Sequence, residues 1–168
     1  MKLIRFTVLS IVVLFAVVTA VSLLFPSTVV VSRAIDINGT EDSVLSYTAN
    51  LQKWKFWVEG MKDSSVIIYS PLRAQLNKTG VTIDSIQNKA AFATWVGSNG
   101  RVMQSMLQII PSANKENRQV TLHWQFVQYL HWYPWEKFAS MMNDKILGVM
   151  MEKNLSHLKD CIEKQICL

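Results

Sequence analysis

The sequence predicts an α+β domain in which an antiparallel sheet wraps around one long C-terminal helix, behind an N-terminal membrane helix. Three observations support this: an uncharged apolar run near the N-terminus, several segments of two-residue alternation, and helical periodicity near the C-terminus. The chain has 168 residues, enough for one domain with a sizeable core.

The first element is an apolar run. No charged residue occurs from Phe6 to Ser32, and residues 6–25 would span about 30 Å as a helix, the thickness of a bilayer core. Lys2 and Arg5 in front of this run also fit a signal peptide, with a small-residue cleavage site at 18–20. We favour an uncleaved anchor over residues 1–26, followed by a domain over residues 27–168, because cleavage would leave an apolar mature terminus.

The charges on either side of this run predict its orientation. Lys2 and Arg5 precede it, whereas Arg33 and three acidic residues between 36 and 42 follow it. The positive-inside rule therefore places the rest of the chain on the extracytoplasmic side. A signal peptide would export the domain as well.

A strand and then helical structure are predicted after the anchor. Residues 27–38 are rich in β-branched side chains and end at Asn38 before a glycine. Thr40 is the expected N-cap of one helix, or of two short ones, and Trp54 and Trp57 follow at helical spacing.

The middle of the chain alternates with period two. Residues 64–70, 89–97, 101–110 and 117–130 are predicted strands, and 81–87 is a further candidate. The longest strand is the clearest, because four apolar residues alternate along it with polar ones: Val120, Leu122, Trp124 and Phe126. Short turns between the segments imply antiparallel pairing.

The last predicted helix begins at Pro134 and extends to about Lys164. Its apolar residues form two stripes, one of Trp135, Phe138, Met142, Ile146 and Val149, the other of Leu147, Met151, Leu155, Leu158 and Ile162. The stripe changes sides around Gly148, although a glycine inside a helix costs about 1 kcal/mol relative to alanine. Either the helix bends there or its middle is buried between two surfaces.

Two segments resemble a known superfamily. "VVVSRAIDINGTEDSVLSYTANLQKWKFWVEG", with its W-x-x-W pair, resembles the opening of START-like (SRPBCC) domains, including their polyketide cyclase/dehydrase branch. "YPWEKFASMMNDKILGVMMEKNLSHLKDCIEK" is similar to the closing helix of small membrane-anchored members, with D-K-x-L-G and L-x-x-L-K pieces. The resemblance implies a helix-grip fold, in which a curved sheet holds the long helix with a cavity between them.

The resemblance also implies where a ligand would lie. Gly148 would leave room beside the cavity, and methionines around it would give an adaptable lining. The predicted lining residues are Trp95, Leu122, Trp124, Phe126, Met141, Met142, Gly148 and Met151. The expected ligand is a hydrophobic small molecule or lipid.

The sequence predicts no catalytic residue, metal site or cofactor. His123 and His131 lie roughly 26 Å apart along an extended strand, and the cysteines, Cys161 and Cys167, have no histidine at ligand spacing. We expect free or dispensable thiols, because a continuous helix would hold the two cysteines too far apart to pair; they could pair outside the cytoplasm only if the helix frays after Ile162. The net charge is +5, of which Lys2 and Arg5 supply two, without a concentrated basic face, so no nucleic-acid partner is expected.

Three functions are compatible with these features. The first is binding of a hydrophobic molecule at the outer face of a membrane, without a reaction. The second is a polyketide cyclase/dehydrase-like enzyme, in which a cavity His, Tyr or acid polarises the substrate. The third is an interaction module without a cavity, which would expose an apolar patch of Leu147, Met151 and Leu158.

Overall fold

The computed structural model describes residues 2–98, 100–112, 118–131 and 133–165, apart from the side chains of Lys2, Phe138, Met141, Asn143 and Asp144. The elements are, in chain order, α1 (Lys2–Leu23), β1 (Thr28–Asn38), α2 (Glu41–Thr48), α3 (Leu51–Trp54), β2 (Val66–Ser70), β3 (Arg73–Leu76), β4 (Thr79–Gln87), β5 (Ala90–Val96), β6 (Val102–Pro111), β7 (Gln119–Tyr129) and α4 (Pro134–Lys164). Among the described residues, one helix is long and apolar enough to cross a membrane, with mean hydropathy reaching 2.6 over Leu3–Leu23.

The seven strands form one curved antiparallel sheet, in the order β1-β7-β6-β5-β4-β3-β2. The first strand pairs with the last along its whole length, from Thr28 opposite Tyr129 to Asn38 opposite Gln119. The predicted alternation of β7 is confirmed, since every second residue from Val120 to Phe126 is buried. The short strand β3 was not predicted, because only one of its four residues is buried and its pattern is too brief to show a period.

Two short helices follow β1. The side chain of Thr40 accepts a hydrogen bond from Ser43 N at 3.3 Å, and that of Asn50 accepts one from Gln52 N at 2.9 Å. These two N-caps divide the predicted helical segment into α2 and α3.

The long helix α4 runs beside the edge strand β1. Near its start, Lys137 Nζ donates to Phe25 O at 2.9 Å, just after α1. Near its end, Glu163 Oε1 accepts from Asn38 N at 2.8 Å, at the end of β1. The start of α4, the start of β1 and the end of α1 therefore lie together, and we call this region the α1 end of the domain.

The expectation of free thiols is wrong for Cys161, which is disulfide-bonded. The helix ends at Lys164, and Gln165 adopts a left-handed conformation with φ of 52°. This change of direction ends the helical spacing on which the expectation depended. The other cysteine of the sequence, Cys167, lies outside the described residues.

Candidate functional site

Aromatic side chains occupy the space enclosed by the sheet and the helices. Ring centroids lie 5.5 Å apart for Trp95 and Phe126, 5.3 Å for Trp124 and Phe126, and 5.6 Å for Trp57 and Trp124. Trp54 continues the group, 5.7 Å from Trp95. We call these five residues the aromatic cluster; all are buried, and their contacts help to fix the short helices against the sheet.

The structure brings together most of the predicted lining residues. Trp95, Trp124 and Phe126 belong to the aromatic cluster, and Leu122 and Met151 are fully buried in the same core. That these residues line a ligand cavity stays a prediction.

Met141 and Met142 were also predicted to line the cavity. The structure does not bring Met142 into the group, because its side chain is 60% exposed on the outer face of α4. The reason is that the apolar stripe containing Met142 faces away from the sheet. The side chain of Met141 lies outside the described residues.

Gly148 faces an arginine of the sheet. A methyl group placed on Gly148 would lie 2.7 Å from Arg33 Cζ, which is too close, and 3.2 Å from Arg33 Nε, so the guanidinium would have to shift. Arg33 Nε donates to Glu152 Oε1 at 2.6 Å, one turn further along α4. The glycine thus lets the guanidinium of β1 lie against the helix backbone and reach Glu152. The sequence did not predict this partner.

Among the described residues, one interior indole has no hydrogen-bond acceptor. Trp54 Nε1 donates to Thr48 O at 3.0 Å, and Trp95 Nε1 donates to Ser105 Oγ at 2.8 Å. Trp124 Nε1 is buried and donates to no acceptor among the described residues. A buried donor without a partner is unfavourable, so this atom needs an explanation.

A second unpartnered donor lies on α4. Asn154 is fully buried, and its Oδ1 accepts from Glu59 N at 2.9 Å, while its Nδ2 finds no acceptor in the described part of the chain. Trp57, two residues before Glu59, contacts the ring of Trp124. The two donors thus flank the same short segment, residues 57–59. Both donors are therefore buried and unpartnered among the described residues.

A polar cleft opens at the α1 end of the domain. It has a volume of 630 Å³ and is lined by residues at the start of β6, the end of β7 and the start of α4, among them Arg101, Tyr129, His131 and Glu136. Glu136 Oε2 accepts from His131 N at 3.0 Å and lies 3.2 Å from His131 Nδ1, and Glu136 Oε1 accepts from Arg101 Nη2 at 3.2 Å.

These contacts perturb the carboxyl group of Glu136. The hydrogen bond from the His131 backbone N–H lowers the pKa of Glu136 below its ordinary value, with smaller contributions from the His131 side chain and Arg101 and an opposing one from burial. The carboxylate is therefore ionised at neutral pH. The sequence excluded His123 and His131 as joint ligands of one metal and did not predict this grouping, because Arg101 and Glu136 lie 35 residues apart in the chain.

Other titratable residues do not gather into a metal site. Among the described residues, no group of three or more His, Cys, Asp and Glu side chains is arranged to hold a metal ion. Glu59 has a pKa lowered by its hydrogen bond to Lys153 on the surface, where the two atoms are 2.7 Å apart. This exposed pair joins α4 to the segment that carries Trp57.

Comparison of the whole chain with known proteins identifies the fold. No family model and no curated protein sequence matches the chain. Solved structures do match: a START superfamily protein from Mycobacterium smegmatis (TM-score 0.61, 14% identity, covering 81% of this chain and 98% of that one) and a protein from Nitrosospira multiformis (TM-score 0.63, 13% identity, 82% and 98%). Norcoclaurine synthase from Thalictrum flavum, solved with a transition-state analogue, is also similar (TM-score 0.60, 6% identity, 82% and 96%).

The chain has the START-like (SRPBCC) helix-grip fold, as the sequence resemblance predicted. At these identities the similarity establishes the fold alone, because one fold supports binding proteins and enzymes alike.

Proposed function

We propose that this chain is a membrane-anchored START-like domain that binds a hydrophobic small molecule or lipid without transforming it. Residues 6–25 would cross the membrane, and the domain over residues 27–168 would lie on its extracytoplasmic side. The positively charged Lys2 and Arg5, at the start of α1 and ahead of its apolar run, support that orientation.

The observation that carries this proposal is the unpartnered Trp124 Nε1 inside the aromatic cluster. Hydrophobic ligand sites combine an apolar lining with a few polar groups that fix orientation. A ligand oxygen would satisfy Trp124 Nε1, and a second acceptor could be met by Asn154 Nδ2 from α4. The apolar part of the ligand would then contact the aromatic rings.

The test compares two variants. Trp124→Phe keeps an aromatic ring and removes the unpartnered donor, so a ligand that uses this donor should bind roughly 2- to 12-fold more weakly, as expected for the loss of about 0.5–1.5 kcal/mol. Trp95→Phe is the matched control, because its indole is already bonded to Ser105 Oγ. Both variants lose stability because phenylalanine is smaller than tryptophan. Trp95→Phe should lose about 1 kcal/mol more than Trp124→Phe, because it also loses a hydrogen bond.

The measurement is titration of the full-length protein in detergent micelles with a fluorescent fatty acid, whose carboxylate oxygens accept hydrogen bonds. Native mass spectrometry of the protein extracted from its own membrane would show whether a lipid co-purifies. If the fatty acid binds equally to wild type and Trp124→Phe, this donor does not orient the ligand. If no apolar probe or lipid binds the wild type, the proposed function is wrong.

A second candidate function is supported by the polar cleft. A polyketide cyclase/dehydrase-like enzyme would need a His, Tyr or acid beside its substrate, and His131, Tyr129 and Glu136 line one cleft. This hypothesis predicts that a bound molecule is recovered chemically changed from the wild type and unchanged from His131→Gln. Recovery of the unchanged molecule from both would favour the binding protein.

The third hypothesis, an interaction module, required a particular exposed patch. Met151 and Leu158 are fully buried, and Leu147 is half-buried against the core. That patch is therefore not on the surface, and these residues stabilise the domain instead.

A further inference from the structure

The first half of α4 has its apolar and polar faces reversed. Trp135, Met142, Ile146 and Val149 are exposed by 60%, 60%, 67% and 63%. At 100° per residue they fall within an arc of about 60°, and they extend about 21 Å along the helix. We call these four residues the outer stripe.

The described inward residues of the same half include polar ones, beside the half-buried Leu147. Lys137 and Ser140 are buried, and Gly148 lies against the guanidinium of Arg33. A surface helix of a water-soluble domain normally turns its apolar face to the core.

The second half of α4 follows the usual rule. Met151, Leu155 and Leu158 are buried in the core, on the side of the helix opposite to the outer stripe. The reversal therefore ends at Gly148. The outward orientation of the outer stripe is therefore specific to the first half of α4, because the second half of the same helix buries its apolar residues in the core.

The position of α1 indicates what covers the outer stripe. The last turn of α1 packs against α4, with Ser22 fully buried, and Lys137 Nζ binds the backbone carbonyl of Phe25. A helix over Leu3–Leu23 has the length of the bilayer core, so Ser22 and Phe25 would lie at the boundary between acyl chains and headgroups. The start of α4 is held at that same depth.

Neighbouring residues fit the same boundary. Leu24 is 85% exposed directly after the span, and the ring of Tyr133 stacks on that of Trp135 with centroids 4.9 Å apart. Tyrosine and tryptophan side chains favour the membrane–water interface.

We propose that the first half of α4 lies flat on the outer surface of the membrane that α1 crosses, with the outer stripe inserted among the lipids. This inference rests on the proposed membrane anchor but not on ligand binding. An interfacial helix of this kind combines an inserted apolar face with a polar face directed away from the lipid. Here the polar face is directed into the protein, and the sheet is carried above the helix.

This position of α4 has a consequence for the proposed function, because it determines where a ligand would come from. The helix that forms one wall of the domain interior would itself be in contact with the bilayer. A lipid would then reach the interior from the membrane and not from solution.

The experiment measures the depth of single spin labels on the full-length protein, reconstituted at one copy per nanodisc of phosphatidylcholine and phosphatidylglycerol. Cysteine is introduced at Met142, Ile146 or Val149, and each label is tested for access to oxygen, which partitions into lipid, and to a water-soluble nickel chelate. Ile110→Cys is the matched control. It replaces another isoleucine that is 46% exposed, on the outward side of β6 far from the α1 end.

The expected result is protection from the nickel chelate by about tenfold or more at all three stripe positions, relative to Ile110, with similar depths along the helix. Protection only at Met142 would mean that the helix stands away from the membrane, and would overturn the proposal. Nickel access at all three positions in single-copy discs, but protection in discs with two copies, would assign the stripe to a second copy of the chain and would also overturn it.

The same samples also show whether α1 is retained as a membrane anchor. If α1 is removed by cleavage, the intact mass of the purified protein falls and no disc forms around it, which overturns both the anchor and the flat helix. If the labels are protected but no fatty acid binds, the inference stands and the proposed ligand binding fails.

Discussion

Gly148→Ala tests whether the glycine exists to admit Arg33. The added methyl group would displace the guanidinium, since it would lie 2.7 Å from Arg33 Cζ, and the bond from Arg33 Nε to Glu152 would be lost. Alanine in a helix interior gains about 1 kcal/mol over glycine. The ion pair is partly exposed, with side-chain exposures of 27% and 61%, so its loss costs about 0.2–1 kcal/mol. The two effects oppose each other, and we expect the single variant to lie within about 1 kcal/mol of the wild type.

A double-mutant cycle separates the two effects. In an Arg33→Met background there is no guanidinium to displace, so Gly148→Ala should stabilise the domain by about 1 kcal/mol, or about 4 °C in Tm. The difference between the two backgrounds should be about 0.2–1 kcal/mol, because only the wild-type background loses the ion pair. Ser156→Ala, at an exposed position of α4, is the control for helix propensity alone.

The assay is thermal unfolding of the four proteins and the control in detergent, followed by near-UV circular dichroism. An effect of Gly148→Ala that is the same in both backgrounds would refute the reasoning, because the glycine would then not be coupled to Arg33. A large loss of stability in both would indicate that the methyl group meets backbone or core instead.

Two further predictions follow from charges. Glu136 has a lowered pKa in the folded protein, so its contribution to stability is present above its ordinary value of 4.5 and is lost as the pH falls through the lower folded value. Glu136→Gln should therefore be less stable than the wild type at pH 7, and the two melting temperatures should converge as the pH falls below 4.5 through the lowered pKa of the folded state; a gap that stays constant with pH would contradict this. A reporter enzyme fused after Leu168 should be active only outside the cytoplasm, because Lys2 and Arg5 hold the start of α1 inside; activity of a cytoplasmic reporter would reverse the orientation.

The burial of Leu122, Trp124 and Phe126 on one side of β7 was predicted correctly, because alternation along a strand is a local property. That these residues line a ligand cavity stays a prediction. The unpartnered state of Trp124 Nε1 was not predictable, since it depends on whether any acceptor elsewhere in the core lies within hydrogen-bond distance of this atom. The cleft around Glu136 was missed for a similar reason, because Arg101 reaches it from the start of another strand.

The sequence by itself determined the elements whose pattern is long and local: the apolar helix α1, the strands β1 and β7, and the full extent of α4 from Pro134 to Lys164. It also showed that α4 carries two apolar stripes that change sides at Gly148. Only the tertiary structure decided which stripe enters the core, because periodicity measures the separation of two faces and does not say which one meets the sheet. That choice depends on contacts between residues far apart in the chain, chiefly Arg33 with Glu152 and Lys137 with Phe25, which leave the outer stripe facing outward.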